Sequence, residues 1–242
     1  MSVIYRLILV AISRVILLVA VMPAAAFVKA GTAKLLGDDT PKSQGRLSLD
    51  FRRHTDRTGM LITLCTGMGW SKEMNYDVSK LKRMKLDVTL ISLSAPFAYF
   101  FMYLLLYNIS GALYGLAPSS FLMASLFRVL RAAAYSGLCF GVIDLLPLPP
   151  LDGFQIFYQF SWPKFRRWYF SHYKKIMYWS NIILWGIIFI ELITDGEISV
   201  IGVIVTQFKR LLDHLVFCHA PWDIPEKIVK VVFGENWFYF VD

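Results

Sequence analysis

Apolar residues along this chain gather into long runs rather than into the alternating patterns of a water-soluble core. Residues 7–28, 86–107, 121–148 and 176–193 each approach or exceed the roughly 18 apolar residues that mark a membrane-spanning helix. A fifth stretch, 198–217, starts apolar and then carries Lys209, Arg210, Asp213 and His214, so it either crosses or lies flat. Residues 60–70 are apolar but too short to span, which suits a re-entrant or membrane-surface piece. The pattern predicts an α-helical polytopic membrane protein with about 4–5 transmembrane helices. Residues 1–220 read as a single membrane domain without internal repeats, and 221–242, where charge alternates with Val, Ile, Phe and Trp, as an amphipathic tail. Two runs are interrupted by charge. Arg14 breaks the first, while Arg128 and Arg131 place the early part of the third along the interface, with only the part after about Ala132 deep in hydrocarbon.

Composition agrees with the pattern: 57% of residues are hydrophobic, 17% charged, and the mean hydropathy is +0.54, well away from the balance of a soluble domain. A formal charge of +8 raises nucleic acid as a partner, but the basic residues sit in short loops between apolar runs, as the positive-inside rule requires. That rule puts 29–85 and 162–175 in the cytoplasm and the loops without Lys or Arg, 108–120 and 194–197, on the other side. Residues 162–175 hold five basic side chains and no acid, interleaved with Trp162, Trp168, Tyr169 and Tyr173. This is an interfacial belt rather than a base-stacking surface, so the expected partner is the lipid bilayer and not nucleic acid. Arg6, an apolar middle and Ala24, Ala25 and Ala26 also resemble a secretory signal peptide, against which Arg14 in the apolar core argues. The sequon Asn108-Ile109-Ser110 is too short a pattern to carry weight. Cys65, Cys139 and Cys218 form no C-x-x-C, and His54, His172, His214 and His219 form no H-x-x-x-H, so no ready metal site is spelled out.

Residues 144–153 read D-L-L-P-L-P-P-L-D-G and close the third run. Proline cannot continue a helix, and unwound backbone at membrane depth persists only where protein or a water-filled cavity satisfies it. The plain reading is a helix end with an ordinary turn at Asp152 and Gly153. A carboxylate there is nonetheless a functional-site candidate by default. The stretch resembles the N-L-L-P-x-P-P-L-D-G motif of the site-2 protease family, membrane-embedded zinc metallopeptidases in which this Asp is the third zinc ligand; here Asp144 stands where the family has Asn. Residues 37–49, G-D-D-T-P-K-S-Q-G-R-L-S-L, are similar to the segment after the metal-binding helix in small bacterial members. His54, Asp56 and Gly59 match N-P-x-x-H-I-D-P-I-G in part, and Ser94, Ala95, Pro96 and Tyr99 stand where the family has A-G-P-x-x-N. The resemblance covers roughly residues 21–155. It implies a site-2-protease-like core, a small re-entrant sheet around 60–70 (against the plainer reading of an interfacial loop), and a bacterial inner membrane.

The other half of such a site would be H-E-x-x-H, two histidines on one helix face with a general base beside the first. Counting back from Gly37, the resemblance places that motif on Ala25, Ala26, Phe27, Val28 and Lys29, so both histidines and the glutamate are missing. The departures fall on residues for chemistry, whereas the backbone-shaping motifs remain. The chain therefore reads as a catalytically inactive relative, a pseudoprotease without a cofactor that binds or holds a transmembrane protein or peptide. The competing reading is an active zinc protease with an altered ligand set, for which Asp152 and His54 are the candidate ligands; a small carrier using Asp152 is a third. The vestigial site is Asp152, His54 and Lys29. Lys29, at its helix end, has two courses. The plainer is to snorkel to the cytoplasmic surface; the other is to reach where the metal would sit and cancel the charge of Asp152.

Overall fold

In a computed structural model, residues 3–67, 69–117, 120–193 and 200–216 are described. Among them the protein is mostly helical and contains no strand; Thr55 and Ser71 form one isolated antiparallel bridge. The helices are α1 (Val3–Leu35), α2 (Arg57–Thr66), α3 (Met84–Leu116), α4 (Phe121–Asp144), α5 (Asp152–Phe160), α6 (Pro163–Ile193) and α7 (Val200–Asp213), with single turns at Thr40–Ser43, Phe51–His54 and Val78–Lys80.

Three of them, α1, α3 and α4, are long and apolar enough to cross a membrane. Among the described residues that is fewer than the pattern predicted. Residues 176–193 form the second half of α6, whose first half carries the basic aromatic stretch. α7 has 14 residues, about 21 Å at 1.5 Å per residue, against a hydrocarbon core of about 30 Å. The expected turn at 194–197 and the tail at 221–242 lie outside the described residues.

α1 is continuous but changes register at Leu17–Val21, a π-helical turn in which Met22 N–H donates to Leu17 O, five residues back. Pro23 comes next and offers no N–H to the preceding turn, the usual setting for such a bulge. The extra residue turns the helix face by about 100°, so the residues before and after it present different stripes to the bundle. Leu17, Val21, Met22 and Ala25 enter one core with Ala98, Tyr99 and Tyr103 of α3, Ala133, Ala134 and Leu138 of α4, and Ile201 and Val205 of α7. Close approach rests on small residues. A Cβ on Gly137 would meet Val21 Cγ1 at 2.9 Å, and one on Gly141, a turn later, would meet Phe100 Cε1 at 2.8 Å and Tyr99 Cβ at 2.9 Å. Val3, Leu7, Ile12, Phe97 and Phe101 are exposed, as lipid-facing positions would be.

The charges that interrupted the apolar runs have partners. Arg14 Nη1 donates to Leu64 O at 2.8 Å and Cys65 O at 2.7 Å, capping the last carbonyls of α2. Arg131 donates to Tyr107 OH at 2.6 Å and lies 3.7 Å above the Tyr107 ring and 4.3 Å above that of Phe127. Residues 121–144 form one continuous helix.

Two further expectations are corrected. Residues 57–66 are helical rather than a small sheet, because Asp56 accepts from the N–H groups of Thr58 and Gly59 and Gly67 closes the helix at φ 82°. The loop expected from residue 108 begins only after Leu116. Asn108 donates to Leu104 O and Ser110 to Tyr107 O, so polar side chains that would favour a turn are satisfied on the helix itself, and the sequon is helical.

Candidate functional site

α4 ends at Asp144, and the proline-rich segment turns the chain so that α5 starts on Asp152. The Pro149–Pro150 peptide is cis, and Ser180 of α6 donates to the Pro149 carbonyl. The two helix ends touch: a Cβ on Gly153 would lie 2.0 Å from Leu145 O, so only glycine fits beside Asp152. Asp152 N–H points at Asp144 Oδ1, 3.4 Å away. The Asp152 carboxylate is thus held at a helix N-terminus, where the backbone dipole favours negative charge.

Lys29 comes from α1. Its Nζ donates to Asp152 Oδ1 at 2.6 Å and Oδ2 at 2.5 Å, with 20% of the lysine side chain and 8% of the aspartate side chain exposed. The amine does not run to the surface, since an aliphatic stem on the buried stripe of α1 brings the charge directly to the carboxylate. Ala25, one turn earlier, is 1% exposed, and Ala25, Ala26, Lys29, Asp144 and Asp152 all line one cavity of 490 Å³. Tyr99, Phe140 and Ile143 form apolar wall, and the Trp70 and Trp185 rings meet edge to face at 5.6 Å on its border.

His54 lines the same cavity and is fully buried. Its Nε2 lies 2.5 Å from Ser48 O. A carbonyl only accepts, so Nε2 carries the proton and Nδ1 keeps its lone pair. Nδ1 is buried and has no partner among the described residues. Burial pushes the ring below the usual histidine range, Arg46 and Arg53 add to this, and together they outweigh the Ser48 carbonyl and Asp50. Around it, Lys72 N–H donates to His54 O at 2.7 Å, and Arg46 bridges Arg53 O at 2.6 Å and Glu73 O at 2.7 Å.

The G-D-D-T-P stretch shapes the backbone leading to this wall. Gly37, at φ 110°, ends α1, and buried Asp38 accepts from Thr40 N at 2.9 Å, Thr40 Oγ1 at 2.5 Å and Asp77 N at 2.7 Å. Burial pushes the Asp38 carboxyl up, but those hydrogen bonds and Lys80 hold it below the ordinary carboxylate range.

Zinc does not fit this donor set. Two of the three places that would supply ligands and base carry methyl groups, the third carries an amine already bound to Asp152, and among the described residues no three His, Cys, Asp or Glu side chains converge. His54 and Asp152 share the cavity, with His54 tied to Ser48.

Over 127 residues the chain is 32% identical to the Putative zinc metalloprotease YwhC of Bacillus subtilis (strain 168), a match that covers 50% of this chain and 56% of that protein. The similarity is consistent with a site-2-protease-like family. This chain spans a little over half the length of that relative. No family model matches the chain, and no solved structure matches it. Sequence reading missed the Gly137 and Gly141 contacts, although G-x-x-x-G in an apolar run is a signal for close helix packing. It also missed the capping role of Arg14, for which no local pattern exists.

Proposed function

We propose that this protein is a non-proteolytic member of the site-2-protease-like group, a membrane pseudoprotease that holds a segment of a transmembrane protein or peptide in the cavity between α1, α4 and α6. The observation that carries the reading is the Lys29 to Asp152 ion pair, an internal cation on the carboxylate that would otherwise be a metal ligand. Hydrolysis needs a polarised water and a general base; Ala25 and Ala26 supply neither, and Lys29 is held as an ammonium donor. Holding a segment needs only a cavity and backbone partners, which the proline-rich turn and residues 69–74 offer. Three apolar helices and the similarity to a Bacillus protein support placement in a bacterial inner membrane.

Purified protein equilibrated with zinc and washed should retain well under one metal per chain and cleave no transmembrane substrate, while the same membrane protein co-purifies with wild type and is lost from a cavity-filling Ala26→Trp variant. One tightly bound zinc per chain, released by Asp152→Ala, would establish instead the active protease with an altered ligand set.

A further inference from the structure

Asp144 is a charge that the resembled motif does not have, since Asn stands there in the family pattern. It lines the cavity at the C-terminal end of α4, where the helix dipole disfavours a carboxylate. Its neighbour is shared: the Lys29 amine, one cation between two carboxylates, hydrogen-bonds both oxygens of Asp152 and acts on Asp144 only at longer range. Among the described residues no Lys, Arg or His lies within ion-pair distance of Asp144; Asp152 N–H points at it across a long 3.4 Å, and the Asp152 carboxyl stands beside it. A second, independent group on the same cavity also lacks a donor. His54, fully buried, keeps an unpartnered Nδ1 acceptor. The cationic donor beside it, Arg46, is directed at the Arg53 and Glu73 carbonyls, and Lys72, the remaining cation of the lining, is exposed. The acceptors of the cavity, half-buried Asp144, buried Asp152 and buried His54, therefore outnumber the cationic donors directed at them, and an acyl chain or a purely apolar helix would leave that imbalance in place.

We propose that the cavity selects a segment bearing a cationic donor, a lysine or arginine side chain, and that Asp144 is the residue that reads it. The inference rests on the holding function proposed above and names the chemistry of what is held. A primary ammonium or guanidinium placed beside Asp144 restores charge balance in the same way that Lys29 does for Asp152, and an apolar side chain of equal length does not.

The test uses the full chain in lipid nanodiscs and two blocked peptides of alternating leucine and alanine, one with a central lysine and one with norleucine there. Binding at the cavity is the part abolished by Ala26→Trp. The lysine peptide should bind about tenfold tighter or more, the scale of a charge-assisted hydrogen bond. Asp144→Asn, which installs the residue of the family motif, should remove that preference. Equal binding of the two peptides to wild type, or a preference that survives Asp144→Asn, overturns the inference and leaves the holding function standing. If neither peptide shows binding that Ala26→Trp abolishes, the holding function falls and the inference with it.

Discussion

Lys29 and Asp152, 123 residues apart in sequence, meet with the amine 2.6 Å and 2.5 Å from the two carboxylate oxygens. Both side chains are largely out of solvent, so removing one charge strands the other. Lys29→Met should destabilise the protein by about 3 kcal/mol, and adding Asp152→Asn should recover much of that loss. Thermal unfolding in a fixed detergent measures the pair; equal melting of the single and double variants would show that the charges do not depend on each other.

The contact between helix ends predicts a second asymmetry. Gly153→Ala places a methyl group against Leu145 O and should cost about 2 kcal/mol or more. Gly31→Ala on α1 meets nothing within 4 Å and should be neutral or stabilising by up to about 1 kcal/mol. Comparing their denaturation midpoints checks whether the Pro-rich turn is packed as tightly as described.

Much of this architecture was legible in sequence because it rests on local chemistry. Apolar runs announced α1, α3 and α4, and the prolines between Leu146 and Leu151 announced the break that seats Asp152. The position opposite Asp152 came from i, i+4 spacing carried over from a resembled motif, which put residue 29 on the same stripe as residue 25. What sequence could not supply was long-range. Arg14 has the look of an intrusion, and only the fold brings the Leu64 and Cys65 carbonyls to receive it. Arg131 likewise reads as an interruption, because nothing in its own helix reveals the Tyr107 ring it lies against. Residues 108–116 suggest a loop by their Asn, Ser and Gly content, yet Asn108 and Ser110 bond back to their own helix. The course of Lys29 was open for the same reason: a long flexible stem reaches either the surface or a buried partner, and local pattern does not choose.

Orientation is set by the distribution of Lys and Arg. Single cysteines at Gly115, at the end of α3, and at exposed Ser171, on the basic half of α6, should label from opposite sides of the membrane with an impermeant reagent, Ser171 from the cytoplasm. Labelling of both from one side would refute the arrangement.

His54 links the cavity wall to pH. Its ring is held below the ordinary value of 6.5, chiefly by burial, so the folded state resists a proton that the unfolded chain accepts. Stability should be full above about pH 6.5 and should fall as pH drops below it towards the folded value. His54→Gln should flatten that part of the stability curve measured by denaturant titration; an unchanged slope would mean that His54 titrates alike in both states.

We propose that Lys29 fills the place that a metal would take beside Asp152. Restoring the missing half tests this directly: Ala25→His, Ala26→Glu and Lys29→His together put two imidazoles on the face that meets Asp152. The purified triple variant should hold one zinc per chain after washing, measured by elemental analysis, and should lose it when Asp152→Ala is added. A folded triple variant that retains no more zinc than wild type, or whose zinc is indifferent to Asp152, would contradict the account.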